Sequence, residues 1–273
     1  MTRNISCRLC GGSSLFVFEK EILSKYHIGY YLCSNCGGLQ TEVPYWLEEA
    51  YHPLNEKFDT GQLFRSLNNA AVMNLFITQL ELPRGPIIDY GSGSGLLTRL
   101  LRDLGLDVWG FDAYSMPRLA IGFHTSTLQG AKGINLCEVA EHFDDPSKYF
   151  DEIFAAGTEM LLMQTGIFES LDSDWGYLSV EHGQHIFFYS PKTIEYLAKR
   201  YSMVATFIHG FMLFFKPIYI EKLFLPNSSI MRPELQDALN NATPNLMSQI
   251  LANGYKHAIN DYVMLKNQRL DQA

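Results

Sequence analysis

The stretch IIDYGSGSGLLTRLL, residues 87–101, decides the fold. Apolar residues lead into Asp89, glycines follow at 91, 93 and 95, and Leu96, Leu97, Leu100 and Leu101 then recur at helical spacing. That pattern predicts a strand, a tight turn and a helix. In a doubly wound sheet, ligands bind where the carboxyl ends of the strands meet such turns. Glycines there let the backbone approach a ligand and take positive φ, and the following helix offers its first free N–H groups. A dinucleotide fingerprint, Gly-x-Gly-x-x-Gly, would need glycine where Leu96 stands, which argues against a nicotinamide-dependent oxidoreductase. Asp89 points the same way, because a carboxylate at the strand end repels a pyrophosphate and attracts an ammonium group, or simply orders the turn.

Outward from this turn the pattern alternates: strand 86–90, helix 95–105, strand 107–112, a short irregular helix near 116–123, strand 133–138, helix 146–156 and strand 158–165. Such alternation predicts a parallel sheet with helices on its faces. A polar and aromatic insertion follows to about residue 190, then a helix over PKTIEYLAKRY and two apolar runs, 203–208 and 211–220, able to pair as a closing hairpin. The chain divides into an N-terminal cysteine module (1–43), a helical bridge (44–82), the α/β domain (83–220) and a helical extension (221–273) punctuated by Pro226, Pro233 and Pro244.

A second acid, Asp112, ends the strand in LDVWGFDAY, where such folds bind ribose hydroxyls. Alone it would read as a helix cap. With DYGSGSG it makes the chain resemble the class I S-adenosylmethionine-dependent methyltransferases. The resemblance implies that Asp89, Gly91, Gly93 and Gly95 lie against the methionine portion of the cofactor and that Asp112 binds its ribose. In GINLCEVAEHFDDPSKYF, residues Glu138, Val139, Glu141, His142, Asp145 and Pro146 resemble the segment after the fourth strand of small-molecule methyltransferases. There the segment lines the cofactor edge and opens towards the acceptor. Glu138, at the strand end, is the cofactor-side candidate. Asp144 and Asp145 before Pro146 read as a helix start, and Cys137 as a small buried residue.

Cys7 and Cys10, a gap of 22 residues, then Cys33 and Cys36 form two Cys-x-x-Cys knuckles, each followed by paired glycines. Four thiolates brought together this way bind zinc tetrahedrally and leave no coordination position free, so the expected metal is structural. A redox role for either pair lacks the thioredoxin-like context such pairs need. The fold class is therefore α/β, a Rossmann-like doubly wound sheet with a small N-terminal zinc-ribbon-like module.

The insertion DWGYLSVEHGQHIFFYSP crowds Tyr177, Glu181, His182, Gln184 and His185 together just after the last parallel strand. The cysteine module followed by this segment resembles the sugar C-methyltransferases that act on nucleotide-linked keto-sugars. Those enzymes carry a Glu-His pair before an aromatic-aromatic-Ser-Pro-like turn, with the His as base. Aligned on FFYSP, His185 takes the His position, Gln184 the Glu position, and His182 falls where the family often has Tyr. The resemblance implies His185 as catalytic base, with His182 and Tyr177 beside it, and a sugar or sugar conjugate as acceptor. A histidine titrating near neutrality suits that task.

With 29 acidic against 21 basic residues, the net charge of −8 disfavours nonspecific nucleic-acid binding, which needs a basic surface. No run has the length and purity of a membrane span or signal peptide, and paired cysteines of this kind suit a reducing compartment. The expectation is a cytoplasmic enzyme that uses S-adenosylmethionine on a small molecule, with no nucleic-acid or membrane partner. The alternatives are an RNA methyltransferase, disfavoured by charge, and a non-catalytic scaffold whose cysteine module recruits a partner.

Overall fold

The computed structural model describes residues 4–52, 61–81 and 85–271. Residues 53–60 and 82 of the expected helical bridge lie outside the described residues. In chain order, the N-terminal part gives β1 (Asn4–Ser6), β2 (Ser13–Ile22), β3 (Tyr26–Cys33) and β4 (Leu39–Thr41), then α1 (Leu47–Ala50) and α2 (Gln62–Leu80). The central part gives β5 (Ile87–Tyr90), α3 (Leu96–Asp103), β6 (Val108–Phe111), β7 (Gly133–Cys137), α4 (Pro146–Ala155) and β8 (Met160–Gln164). After the insertion come β9 (Phe187–Phe188), α5 (Pro191–Arg200), β10 (Val204–Ile208), β11 (Phe211–Phe215), α6 (Ile220–Leu223), α7 (Pro233–Asn240) and α8 (Ala242–Asp271).

The central sheet runs β10-β11-β8-β7-β5-β6. Strands β6, β5, β7 and β8 are parallel, and the hairpin β10–β11 closes the edge with β11 antiparallel to β8. This is the Rossmann-like architecture expected from the alternating pattern. Alternate residues of a strand face opposite sides, and the packing follows. Met160 and Leu162, with Leu213 and Phe215, join Met73, Phe76 and Leu101 on one face; Leu161 and Met163, with Met212 and Phe214, join Phe150, Ile153 and Leu197 on the other. Each such side chain, fully buried, stabilises the fold by about 1.5–3 kcal/mol.

Local chemistry sets the helix starts. Pro146 opens α4 while the Asp145 side chain accepts from Lys148 N, as expected of an acid before a first-turn proline. Ser190 and Thr193 form a reciprocal capping box at α5. Between β6 and β7 the expected short helix is missing: residues 116–123 form bends, and a single parallel bridge joins Gly110 to His124. Gly122, left-handed at φ 87°, turns the chain there, with Phe123 N closing on Ala120 O, and the preceding loop is tied back to the glycine turn and to Asp112. Arg118 N and Leu119 N donate to Ser94 O in the glycine turn, and the N–H groups of Tyr114 and Ser115 bind Asp112. Phe123 instead packs beneath the Arg102 guanidinium, 3.6 Å from its ring centroid, and Arg102 is held bidentately by Asp261 of α8 at 2.8 and 2.6 Å.

The second sheet, antiparallel, runs β1-β2-β3-β4-β9. Its last strand comes from the insertion: Leu39 pairs with Phe188 and Gln40 with Phe187. Side chains reinforce the seam, with Trp46 Nε1 donating to Gly183 O at 2.7 Å, Gln184 Nε2 to Ala50 O at 2.8 Å and Ser190 Oγ to Gly37 O at 2.9 Å. The segment carrying the histidines is thereby fixed between the two sheets.

Candidate active site

The turn after β5 has the conformation its glycines predict. Gly91, Gly93 and Gly95 all have positive φ, at 74°, 49° and 81°. At Gly91 the need is steric as well, because a Cβ there would lie 2.5 Å from Val139 Cγ2. Asp112, at the end of β6, draws the turn closed: its carboxylate accepts from Gly93 N at 2.8 Å, Tyr114 N at 2.8 Å and Ser115 N at 2.7 Å. Asp89 lies beneath, only 2% exposed, accepting from Thr98 Oγ1 at 2.8 Å and Asn135 Nδ2 at 3.3 Å. Burial pushes its carboxyl up to about 6 against the pull of those two hydrogen bonds. Above it opens a cleft lined by Gln62 and Arg65 of α2, Asp89, Gly91 and Ser92 of the turn, and Glu138 after β7. The Ser92 hydroxyl is buried there without a hydrogen-bond partner among the described residues.

Glu138 joins this cleft to a second group of polar side chains. Its φ of 55° is left-handed, a conformation that costs a non-glycine residue on the order of 1 kcal/mol and concentrates at functional sites. The Tyr177 hydroxyl lies 2.8 Å from Glu138 Oε2, 2.8 Å from Glu141 Oε1 and 3.0 Å from Thr165 Oγ1. One hydroxyl proton cannot serve two carboxylates. The Glu138 carboxyl is pushed up to about 7, by burial first and the charge of Glu141 second, so it supplies the second proton near neutrality.

Glu141 is fully buried and faces two imidazoles. His142 Nε2 lies 3.8 Å and His185 Nε2 3.9 Å from Glu141 Oε1. One backbone and one side-chain bond bring them together: Ile186 N donates to Glu141 O at 2.9 Å, and the Tyr189 hydroxyl to Ala140 O at 2.9 Å. His185 Nδ1 lies 2.7 Å from Tyr177 O. A carbonyl only accepts, so Nδ1 carries a proton, and in the neutral ring the lone pair is on Nε2. His142 Nδ1 meets the Tyr51 hydroxyl at 2.9 Å, and burial lowers its pKa to about 4, leaving the ring neutral.

Of the acceptor-side residues expected from the sequence, Tyr177 and His185 thus come together beside Glu138, while His182 turns its Nδ1 to Ser179 Oγ at 3.3 Å. Gln184 is engaged with α1 and is not the partner of His185; the carboxylate facing that ring is Glu141. Glu141 and His142 were visible in the motif around Glu138 as cofactor-edge residues, but nothing in the sequence joined them to His185. Gln62 and Arg65, on the helix before the glycine turn, had no motif to reveal them.

The four paired cysteines also converge. Their sulfurs lie within 4.8 Å of one another, with Cys7 Sγ to Cys36 Sγ at 3.6 Å and Cys10 Sγ to Cys33 Sγ at 3.4 Å. Sulfurs bound tetrahedrally to one zinc at about 2.3 Å stand about 3.8 Å apart, so the four side chains fit that ion. Backbone N–H groups of Gly12 and Cys36 point at Cys10 Sγ and Cys33 Sγ, at 3.4 and 3.5 Å.

Among the described residues no helix is long and apolar enough to cross a membrane. No curated protein matches the sequence. Solved structures with a similar arrangement include the 1,6-didemethyltoxoflavin-N1-methyltransferase of Burkholderia thailandensis with S-adenosylhomocysteine bound, 14% identical, with a TM-score of 0.44 over 73% of this chain and 99% of that one. A plantazolicin methyltransferase in complex with a substrate analog and S-adenosylhomocysteine is 14% identical, with a TM-score of 0.45 over 76% of this chain and 88% of that one. A possible histamine N-methyltransferase of Thermotoga maritima is 13% identical, with a TM-score of 0.41 over 62% of this chain and 97% of that one. The weight rests on the family profile described as "Methyltransferase domain", which matches residues 62–202, more than half of the 273-residue chain. The chain belongs to the methyltransferase-domain family and is an S-adenosylmethionine-dependent methyltransferase.

Proposed function

We infer that the chain transfers a methyl group from S-adenosylmethionine to a small-molecule acceptor, a sugar or sugar conjugate being the class its resemblance to sugar methyltransferases implies. The observation that carries this reading is the cleft between the glycine turn and Glu138, with the Tyr177, Glu141, His142 and His185 group at its edge. When bound, S-adenosylmethionine supplies a methyl already activated on a sulfonium. The residues of this chain then hold the donor, orient the acceptor and take charge of its proton. Gly91, Gly93 and Gly95 accommodate the methionine portion, with the buried Asp89 carboxylate attracting its ammonium group. Asp112 Oδ1 already accepts from two amides and Oδ2 from one, so Oδ2 keeps a lone pair for a ribose hydroxyl. Loss of the acceptor's proton depends on His185, whose neutral ring, protonated on Nδ1, presents its lone pair on Nε2. The four-cysteine cluster holds a structural zinc that stiffens the sheet to which β9 belongs.

Calorimetric titration with S-adenosylhomocysteine tests the reading, with Asp112→Asn as the variant and a nicotinamide dinucleotide as competitor. The expected result is saturable binding to one site per chain, weakened at least tenfold in the variant and unaffected by the dinucleotide. No binding, or displacement by the dinucleotide, would sink it.

A further inference from the structure

We propose that Glu141, His142 and His185 hold one divalent first-row cation, and that this cation ligates the hydroxyl of the methyl acceptor. The proposal deepens the reading of the cleft as a methyltransferase site and rests on it.

The donor set is one carboxylate oxygen and two imidazole nitrogens, all within 4.8 Å of one another. Both imidazole Nε2 atoms face the same carboxylate oxygen at 3.8 and 3.9 Å, beyond hydrogen-bond length. For His185 the Tyr177 carbonyl fixes the proton on Nδ1, so in the neutral ring the atom turned towards Glu141 is a lone pair. Two facing electron-rich atoms repel unless a cation lies between them. The other oxygen of Glu141, Oε2, is a separate indication, since it belongs to a fully buried side chain and has no hydrogen-bond partner among the described residues. Unpaired buried carboxylate oxygens are costly, and a cation relieves that cost.

The surroundings have the form that orients metal ligands. A histidine ligand is steadied through its other ring nitrogen, and a carboxylate ligand by a hydrogen bond. Here Tyr177 O holds His185 Nδ1, the Tyr51 hydroxyl meets His142 Nδ1, and the Tyr177 hydroxyl reaches Glu141 Oε1 at 2.8 Å. Ligands sharing an ion at about 2.1 Å stand about 3.0–3.4 Å apart, so binding draws the three side chains inward by less than an ångström for each Glu–His pair. Two imidazoles with one carboxylate suit manganese, iron, cobalt or zinc. Three protein ligands leave coordination positions for substrate, as in catalytic sites and unlike the closed four-cysteine cluster.

The location gives the cation its task. Tyr177 bridges Glu141 to Glu138, which lines the donor cleft, so an acceptor oxygen ligated here lies at the cleft's edge. Ligation lowers the pKa of a hydroxyl. As its proton leaves to solvent, the oxygen lone pair forms the new O–CH3 bond, the C–S bond breaks, and its electron pair returns to sulfur. His185 then serves as a ligand, and its removal abolishes turnover without its acting as a direct base.

The test counts metal on the full chain with zinc retained at the cysteines, adding Mn2+, Co2+ and Zn2+ singly and measuring S-adenosylhomocysteine binding in parallel. Expected is one further equivalent of at least one of these ions, with Kd raised tenfold or more in His142→Gln and His185→Gln while S-adenosylhomocysteine affinity is kept. A paramagnetic resonance spectrum of the Mn2+-loaded wild type, showing nitrogen-14 coupling, tests imidazole ligation without any variant. The cation is overturned if no ion binds beyond the cysteine site, if both variants bind as tightly as wild type, or if the nitrogen coupling is absent from bound Mn2+. Failure of the wild type to bind S-adenosylhomocysteine would instead overturn the cleft reading, whatever the metal count.

Discussion

Asp89→Asn should make the protein more stable at neutral pH and change how stability depends on pH. The Asp89 carboxylate is only 2% exposed, and burial raises its pKa from an ordinary 3.8 to about 6. A folded-state pKa above the unfolded one means that its contribution is fully present below pH 3.8 and is lost as pH rises through about 6. Two units correspond to about 3 kcal/mol withheld from the folded state at neutrality. Asparagine keeps the shape and both contacts, with Oδ1 accepting from Asn135 and Nδ2 donating to the Thr98 hydroxyl, but it cannot ionise. Thermal unfolding of both proteins, followed by circular dichroism from pH 4 to 7.5, should show their Tm difference widening by roughly 5–10 °C in favour of the variant. A difference that stays flat across pH 4–7 would refute the buried-carboxylate argument. The same variant should bind S-adenosylhomocysteine more weakly, because the carboxylate that strains the fold is the one proposed to attract the ligand's ammonium group.

Gly91→Ala combines a φ of 74° with a Cβ 2.5 Å from Val139 Cγ2; it should cost about 1–3 kcal/mol of stability and weaken S-adenosylhomocysteine at least tenfold by calorimetry. Asp261→Ala leaves the buried Arg102 guanidinium without its bidentate partner, a loss of about 3–5 kcal/mol that should appear as a lowered Tm and early proteolysis of α8; an unchanged Tm would remove this pair from the stability account. Phe187→Ala, at a fully buried site, should cost about 3–5 kcal/mol and accelerate release of the zinc proposed for the cysteine cluster to a chromogenic chelator, since Phe187 packs against Gly38 beside Cys36; unchanged release would separate the two.

The parts of the molecule legible from sequence are those whose determinants lie close together in the chain. Residues 87–101 carry their own strand, turn and helix, and the two cysteine knuckles carry their own folds, so spacing sufficed for both. The group at the cleft's edge was only half legible. Glu141 and His142 sit in a 3-10 turn, Ala140–His142, whereas His185 arrives from the far side of β8, and the Ile186–Glu141 backbone bond that unites them follows no local rule. The segment near 116–123 misled for a related reason: its residues permit a helix, but Ser94, from the glycine turn, anchors its Arg118 and Leu119 amides, and Gly122 takes a left-handed φ of 87° that ends any helix. Asp112 itself, expected as a ribose ligand, also closes the glycine turn through Gly93 N.

The pairing of β4 with β9 has a consequence for how the chain is made. Leu39 and Phe188 pair along one seam of the N-terminal sheet, yet at translation rates of 5–20 residues per second the second leaves the ribosome roughly 7–30 s after the first. Throughout that interval β4 is an open edge, able to template wrong strand pairings. A metal taken up early by the four cysteines would hold β1 to β4 in register during the wait, so supply of the ion during synthesis, rather than afterwards, should govern how much nascent chain escapes aggregation.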